Sequence, residues 1–260
     1  MNDKHKTRTH LHVSIFFLFT LFTLNSQAQL TVAGRDTSEE SSNRSSENHP
    51  YDRSLHPLLR QIRVYTGVCV PLGDFGSPDP SFSSSGFAAT AVSGGIEYNA
   101  EVIRGLGITF GETFSLHNTK KDGWVEKYPN YNFEINNWLL LWSTAGIFID
   151  QDFSVSTNFY VDGQAGILYS NYPQISIIDS YNQSGIITAP AVTAFGYKVG
   201  GGIRWNRFEL GLHYFSSDID FQSYADFHSL SSNPKVTIEH FPQQVPIRVL
   251  LASFAFLFDR

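Results

Sequence analysis

The sequence has few charged residues, one cysteine and no long apolar run beyond its first 28 residues. Charged residues make up 16% of its 260 residues, against about 25% in an average soluble domain. A single cysteine, Cys69, excludes an internal disulfide and the metal sites built from several cysteines. A membrane-spanning helix needs about 20 apolar residues. The composition therefore argues against disulfide-rich domains and against bundles of membrane helices.

Positive charge is also scarce, since 18 lysines and arginines face 24 aspartates and glutamates and the net charge is −6. Nucleic-acid binding needs clustered cations that displace counterions, so no nucleic-acid partner is expected. The histidines lack the spacing of metal ligands. The run Gly200-Gly201-Gly202 lies inside a predicted strand and lacks the lysine and helix of a phosphate loop. The sequence predicts no cofactor and no metal.

Aromatic residues are abundant at 15% of the chain, with 22 Phe and 12 Tyr. The mean hydropathy is nevertheless only −0.16. This combination is typical of strands in which apolar and polar residues alternate.

The start of the chain predicts export. Within residues 1–28, three basic residues precede an apolar run over 13–24, and small residues lead to a cleavage position after Ala28. This order is that of a secretory signal peptide. Residues 29–60 are polar and have little to bury, which predicts a disordered linker in the periplasm.

Eight later stretches alternate with period two, the pattern of strands with one apolar face. Most are 9 to 13 residues long, which suits a tilted membrane strand better than the strand of about 5–6 residues in soluble proteins. The predicted strands are 61–70, 87–98, 106–117, 138–149, 159–170, 193–204, 208–216 and 246–258.

The connections between these strands alternate in length. Short ones are predicted near 99–105, 150–158 and 205–207, and long ones near 71–86, 118–137, 171–192 and 217–245. Outer-membrane barrels have short periplasmic turns and long extracellular loops. The sequence therefore predicts that residues 61–260 form an all-β domain, a closed antiparallel up-and-down transmembrane β-barrel of about eight strands. A soluble β-domain whose aromatics fill a core is the alternative.

The two faces of the strands predict an outer wall and a lumen. Aromatic belts are predicted at the membrane boundaries, from Trp138, Tyr169 and Tyr214 at one end and Tyr98, Phe148, Trp205 and Phe258 at the other. A polar network that plugs the lumen is predicted from Arg63, Glu97, Asp162, Lys198, Arg204 and Glu209. A narrow solute path through the lumen is the alternative.

Glu112 interrupts the apolar face of the third stretch, which otherwise carries Leu106, Ile108, Phe110 and Phe114. Two explanations are available from the sequence. The carboxylate snorkels to the membrane boundary, or the register of this strand is misread.

Several motifs in residues 61–260 resemble the small outer-membrane β-barrel family of Gram-negative bacteria, the OmpA- and OmpW-like porin superfamily. They are Gly67–Gly76 (GVCVPLGDFG), Gly86–Ala88 (GFA), Val161–Gly166 (VDGQAG) and the alternating Phe254, Phe256 and Phe258. The resemblance implies a bacterial outer-membrane location, contact with its lipids and insertion by the barrel-insertion machinery. Members range from membrane-stabilising proteins to adhesins and carriers of small hydrophobic molecules.

Function is left open between a structural barrel and a binding barrel, without catalysis. A lipid A-modifying enzyme is disfavoured because His213 and Ser216 are three residues apart and fall on opposite faces of a regular strand. A carrier or narrow channel for a small apolar solute is an alternative, based on Leu139, Leu141, Ala145, Ile147 and Ile149, which are predicted to line the lumen. The long loop 217–245 is the candidate site for an extracellular partner.

Overall fold

The computed structural model describes residues 58–79, 84–154, 156–178, 184–226 and 241–259. The predicted signal peptide and nearly all of the predicted linker lie outside these residues. Within them, the chain forms eleven strands: β1 (Arg60–Pro71), β2 (Ala91–Ile103), β3 (Leu106–His117), β4 (Asn132–Ile135), β5 (Trp138–Ser154), β6 (Thr157–Asn171), β7 (Ile175–Ile178), β8 (Ser184–Thr188), β9 (Val192–Trp205), β10 (Phe208–Asp226) and β11 (Phe241–Asp259).

Eight long strands close into an antiparallel barrel. Their order around the ring is β1, β2, β3, β5, β6, β9, β10 and β11, and β11 pairs with β1 to complete it. Each strand except the first and last is the neighbour of the long strands before and after it in sequence. The predicted closed up-and-down barrel of eight strands is confirmed.

The two ends of the barrel differ. Tight turns link β2 to β3, β5 to β6, and β9 to β10 at one end. Gly105 and Asn206 supply the positive φ angles, 73° and 52°, that two of these turns require. The other end carries the long connections. Gln61 pairs with Asp259, so the chain enters and leaves the barrel at the short-turn end.

The long connections contain secondary structure that the alternation did not predict. A small antiparallel sheet joins β4 to β7, β7 to β8, and β8 to the end of β10. A short helix, α1 (Asp122–Lys127), and a 3₁₀ turn (Gly73–Gly76) accompany it. Among the described residues, no helix is long and apolar enough to cross a membrane.

The prediction of a loop over 217–245 is wrong for most of its length. β10 continues to Asp226 and β11 begins at Phe241, and the two pair from Phe208 to Ser223 of β10. Ile219 and Phe221 are buried while Asp218 and Asp220 point outward, so the alternation persists. The outward side is polar here, and the inward side carries Ser217 and Ser223, so the sequence resembles a loop. Residues 227–240 lie outside the described part of the chain.

The barrel has an apolar outside. Most of the large hydrophobic side chains that are exposed lie on the outward face of the long strands, such as Val92 and Phe195, each 72% exposed. The prediction that β5 turns its leucines and isoleucines inward is wrong. Ile147 and Ile149 are exposed on the outer wall, and Leu139, Leu141 and Ala145 share that face. β5 instead points Trp138, Leu140, Trp142 and Phe148 into the lumen.

Candidate functional site inside the barrel

The lower half of the lumen, toward the short turns, holds a continuous network of charges. Arg63 on β1 lies between two carboxylates, with Nη1 at 3.3 Å from Oε2 of Glu97 and 3.1 Å from Oε1 of Glu209. Lys198 on β9 pairs with Glu97 and lies 3.6 Å from Oδ2 of Asp162. Because each of these side chains is at most 3% exposed, the pairs are shielded from water.

Arg204 extends this network toward the short turns. Its Nε atom lies 2.8 Å from Oε2 of Glu209, and its Nη1 atom lies 3.2 Å from Oδ2 of Asp150. The hydroxyl of Tyr160 donates to Oε1 of Glu209 at 2.6 Å. The guanidinium also stacks over the Tyr160 ring, 4.2 Å from its centroid. All six residues of the predicted lumen set are thus brought together in one network.

His213 connects the two halves of this network. Its Nδ1 atom lies 3.3 Å from Oδ1 of Asp162, and its Nε2 atom lies 3.3 Å from Nη2 of Arg63. Gly200 pairs with His213 on the neighbouring strand, and a Cβ atom there would overlap Nδ1 of the imidazole. The glycine therefore leaves the space that the imidazole occupies.

The predicted network omitted Asp150, Tyr160 and His213. Tyr160 lies two residues before Asp162, and His213 lies four residues after Glu209, so both share the inward face of a strand already assigned. The alternation of side chains along each strand therefore places both on the polar, inward face together with the six residues of the predicted network. Asp150 was not predicted because the prediction turned the opposite face of β5 toward the lumen.

The network contains three cations and four carboxylates, and each has an oppositely charged partner. Charges inside a narrow barrel must pair or stay wet, and here they pair across strands. Such an arrangement ties the walls together from the inside. It also fills the bore with side chains that are fixed by their partners.

The upper half of the lumen, toward the long loops, is apolar and aromatic. Trp142 packs against Phe215, with ring centroids 5.2 Å apart. Above this pair, Trp138 contacts Tyr172 and Phe221 at 5.3 and 5.7 Å between ring centroids. These rings form a second plug that depends on burial rather than charge.

The first long loop completes this aromatic plug. Phe75, in the 3₁₀ turn after β1, is fully buried and packs edge-on against Trp138 at 5.3 Å between centroids. Trp138 Nε1 donates to the carbonyl of Gly86 in the same loop. A Cβ at Gly86 would lie 2.6 Å from the Phe75 ring and backbone, so only glycine fits there. The loop is therefore part of the barrel interior.

The predicted aromatic belts are only partly on the outer wall. Trp138 and Phe148 are buried in the lumen, 0% and 1% exposed, so their assignment to the membrane boundary is wrong. β5 is apolar on both faces, and apolarity alone therefore does not mark its outer side. The remaining five belong to the outward face: Tyr98, Tyr169, Trp205, Tyr214 and Phe258.

The geometry of His213 and Ser216 does not assemble a nucleophile and its base. Pairing of β10 with β9 runs from Phe208 to Ser217 without a register shift. The bulge needed to bring both side chains to one face is therefore absent from this stretch. His213 instead contacts Asp162, Arg63 and Tyr160.

Over the described ranges, no group of three or more His, Cys, Asp or Glu side chains is arranged to hold a metal ion. Two depressions, of about 680 and 490 Å³, lie along the outer wall around Val68 and Val92.

No model of a protein family matches the chain, and no curated protein matches it. Solved structures similar to it include the attachment invasion locus protein Ail of Yersinia pestis (10% identity, 78% of this chain and 100% of that chain, TM-score 0.38). Neisserial surface protein A is 12% identical over 76% of this chain and 97% of that chain, with a TM-score of 0.37. A major outer membrane protein from Thermus thermophilus is 10% identical over 76% of this chain and 99% of that chain, with a TM-score of 0.45.

Proposed function

We propose that this chain is an integral protein of the bacterial outer membrane whose barrel is closed and serves as a rigid anchor for the structure built on its long loops. The proposal rests on the placement of charged and apolar side chains, which is the reverse of their placement in a soluble domain. Charged side chains fill the lower half of the lumen, while valine, isoleucine, leucine and phenylalanine are exposed around the outside. A wall of this kind is stable against hydrocarbon, whereas water would penalise its exposed apolar area.

The outward aromatic side chains support a membrane position. Tyr98, Trp205 and Phe258 lie toward the short-turn end, and Tyr169 lies near the long-loop end, while Tyr214 lies midway along the paired part of β9 and β10. Aromatic rings prefer the two membrane–water boundaries. In this orientation the short turns and the linker are periplasmic, and the long loops are extracellular. Membrane lipids and the barrel-insertion machinery are then the obligatory partners of the chain.

A closed barrel also argues against transport and catalysis. The ion-pair network and the aromatic plug occupy the two halves of the lumen. The depressions around Val68 and Val92 lie on the outer wall, where lipid tails fill them. His213 is engaged by charged partners. We therefore propose neither a carrier for a small apolar solute nor a lipid A-modifying enzyme.

The first experiment is heat modifiability combined with conductance. The purified protein, folded in mild detergent, is run on a denaturing gel with and without boiling, and then added to planar bilayers. We expect a faster-migrating unboiled band and no stepwise conductance. Good solubility without detergent and no band shift would contradict the membrane location, and open channels would contradict the closed lumen.

A surface-binding role is the second candidate, and the ordered structure at the long-loop end favours it. The small sheet of β4, β7 and β8 is attached to the β10 extension. Near it, Val125, Tyr128 and Tyr224 are exposed by 49%, 39% and 41%. Exposed aromatic side chains are enriched at protein interfaces. Whole cells that display the protein should bind a protein or matrix surface through the small sheet and these exposed side chains. Replacing Tyr128 and Tyr224 by serine should reduce that binding.

A further inference from the structure

Glu112 lies midway along β3 and points outward from the barrel. Its neighbours on the adjacent strands are Ile96 and Ser143. Pairing on both sides runs through this position without a register shift, so a misread register does not explain the glutamate. Nor does the side chain extend toward the membrane boundary, because Oε2 accepts a hydrogen bond from Ser143 Oγ at 2.7 Å. The carboxyl group is held at mid-height on the wall.

Its position on the wall is unusual. The other charged side chains that point outward from the described long strands lie toward their ends or beyond the apolar wall, as Arg60 and Arg248 do. Glu112 is flanked along β3 by Phe110 and Phe114, which are 50% and 46% exposed. A carboxyl group in hydrocarbon is costly unless its hydrogen-bonding groups are satisfied. Ser143 satisfies one oxygen, and a second partner is needed for the other.

We propose that the wall formed by β3 and β5 is the contact between two copies of this chain in the membrane, related by a twofold axis near Glu112 and Ser143. This inference rests on the proposed membrane location. A protonated Glu112 donates its O–H to Ser143 Oγ of the second copy, while each Ser143 keeps donating to its own Glu112. Donor and acceptor lie side by side on one surface, as a twofold contact requires.

The shape around the pair is also self-complementary. Ala145 pairs with Phe110 on β3 and with Ala165 on β6, so two small outward-facing side chains lie beside an exposed ring. Small residues allow close approach of membrane segments, because packing and hydrogen bonds rather than hydrophobicity drive their association. Phe110 of one copy then fills the hollow over the alanines of the other.

Cysteine cross-linking in lipid vesicles tests the contact. In a Cys69→Ala background, Ala145→Cys places a thiol beside Glu112, and Ala252→Cys on β11 places a matched thiol on the opposite side of the ring. We expect oxidation to yield a covalent dimer with Ala145→Cys and little with Ala252→Cys. Equal yields from both positions, or none from Ala145→Cys, would overturn the inference.

Variants of the pair separate this contact from barrel folding. Glu112→Leu should abolish the Ala145→Cys dimer while leaving the heat-modifiable band intact, because leucine suits the wall. Glu112→Gln keeps a donor and should retain the dimer, and Ser143→Ala should reduce it. A dimer that persists in Glu112→Leu contradicts the proposed contact. Absence of the heat-modifiable band from the protein without substitutions would instead indicate failure of the membrane proposal itself.

Discussion

Nε of Arg204 lies 2.8 Å from Oε2 of Glu209, across the short turn that joins β9 to β10. The two residues are directly paired in the hairpin, and both side chains point into the lumen. The same arginine reaches Asp150 on β5, so it joins three strands. The closed interior therefore depends on a contact close to the turn of one hairpin that also reaches across the lumen to a third strand.

Arg204→Met should destabilise the barrel by about 3–5 kcal/mol, because it leaves the buried carboxylates of Glu209 and Asp150 without this cation. Urea unfolding in lipid vesicles, followed by the heat-dependent band shift, measures the loss. The double variant Arg204→Met/Glu209→Gln should lose less than the sum of the two single losses. None of these variants should conduct ions in planar bilayers. Channel opening in any variant would contradict the proposal that the remaining side chains close the lumen.

The exposed ion pair between Arg248 and Asp218 is the matched comparison. Nη2 of Arg248 lies 2.7 Å from Oδ1 of Asp218, but the Asp218 side chain is 80% exposed. Asp218→Asn should therefore change the unfolding free energy by less than about 1 kcal/mol, the range of solvent-exposed pairs. An equal loss of unfolding free energy from Asp218→Asn and Arg204→Met in the same urea assay would show that burial is not the reason why the lumen network stabilises the barrel.

Ile147→Arg tests the outer wall. Ile147 is 57% exposed on the apolar face of β5, and an arginine at mid-membrane depth costs about 2–4 kcal/mol in a barrel. Gln222→Arg, on the outward side of β10 beyond that wall, should cost nothing comparable. Folding yields and unfolding midpoints in vesicles provide the measurement. Tolerance of arginine at Ile147 in vesicles would mean that this face does not contact lipid.

Gly86→Ala should detach the first loop from the barrel, because its methyl group would overlap Phe75 at 2.6 Å. Hydrogen exchange should then accelerate over residues 73–76 and 86–89, while the strands keep their protection. Gly163→Ala is the control, since a Cβ there meets nothing within 4 Å. Unchanged exchange in the Gly86 variant would show that Phe75 is not held by this contact.

The sequence was sufficient for the eight long strands because the membrane wall and the lumen demand opposite chemistry at alternate positions. For the same reason, the charged residues of the lumen could be identified from the alternation of side chains along each strand. The rule failed at β5, where both faces are apolar. Thr144 and Asp150 share the face of Trp138 and Phe148, and these polar residues were the available signal for the inward side.

The structure beyond the wall was harder to predict. β4, β7 and β8 have four or five residues each, and within the described part of the chain they pair with one another and with the end of β10. Such short strands carry no reliable period, and their pairing depends on loops that bring distant segments together. The insertion of Phe75 into the barrel depends likewise on its contact with Trp138, which is far from it in sequence, and on the space left by Gly86.

The pairing of Gln61 with Asp259 joins the first strand of the ring to the last. A ring that closes through its two ends has no closed form until the final strand has been synthesised. Every shorter nascent chain would present the unpaired edge of β1 to any strand nearby. Closure of the barrel therefore has to wait for the C-terminal strand β11, in whatever order the other strands pair.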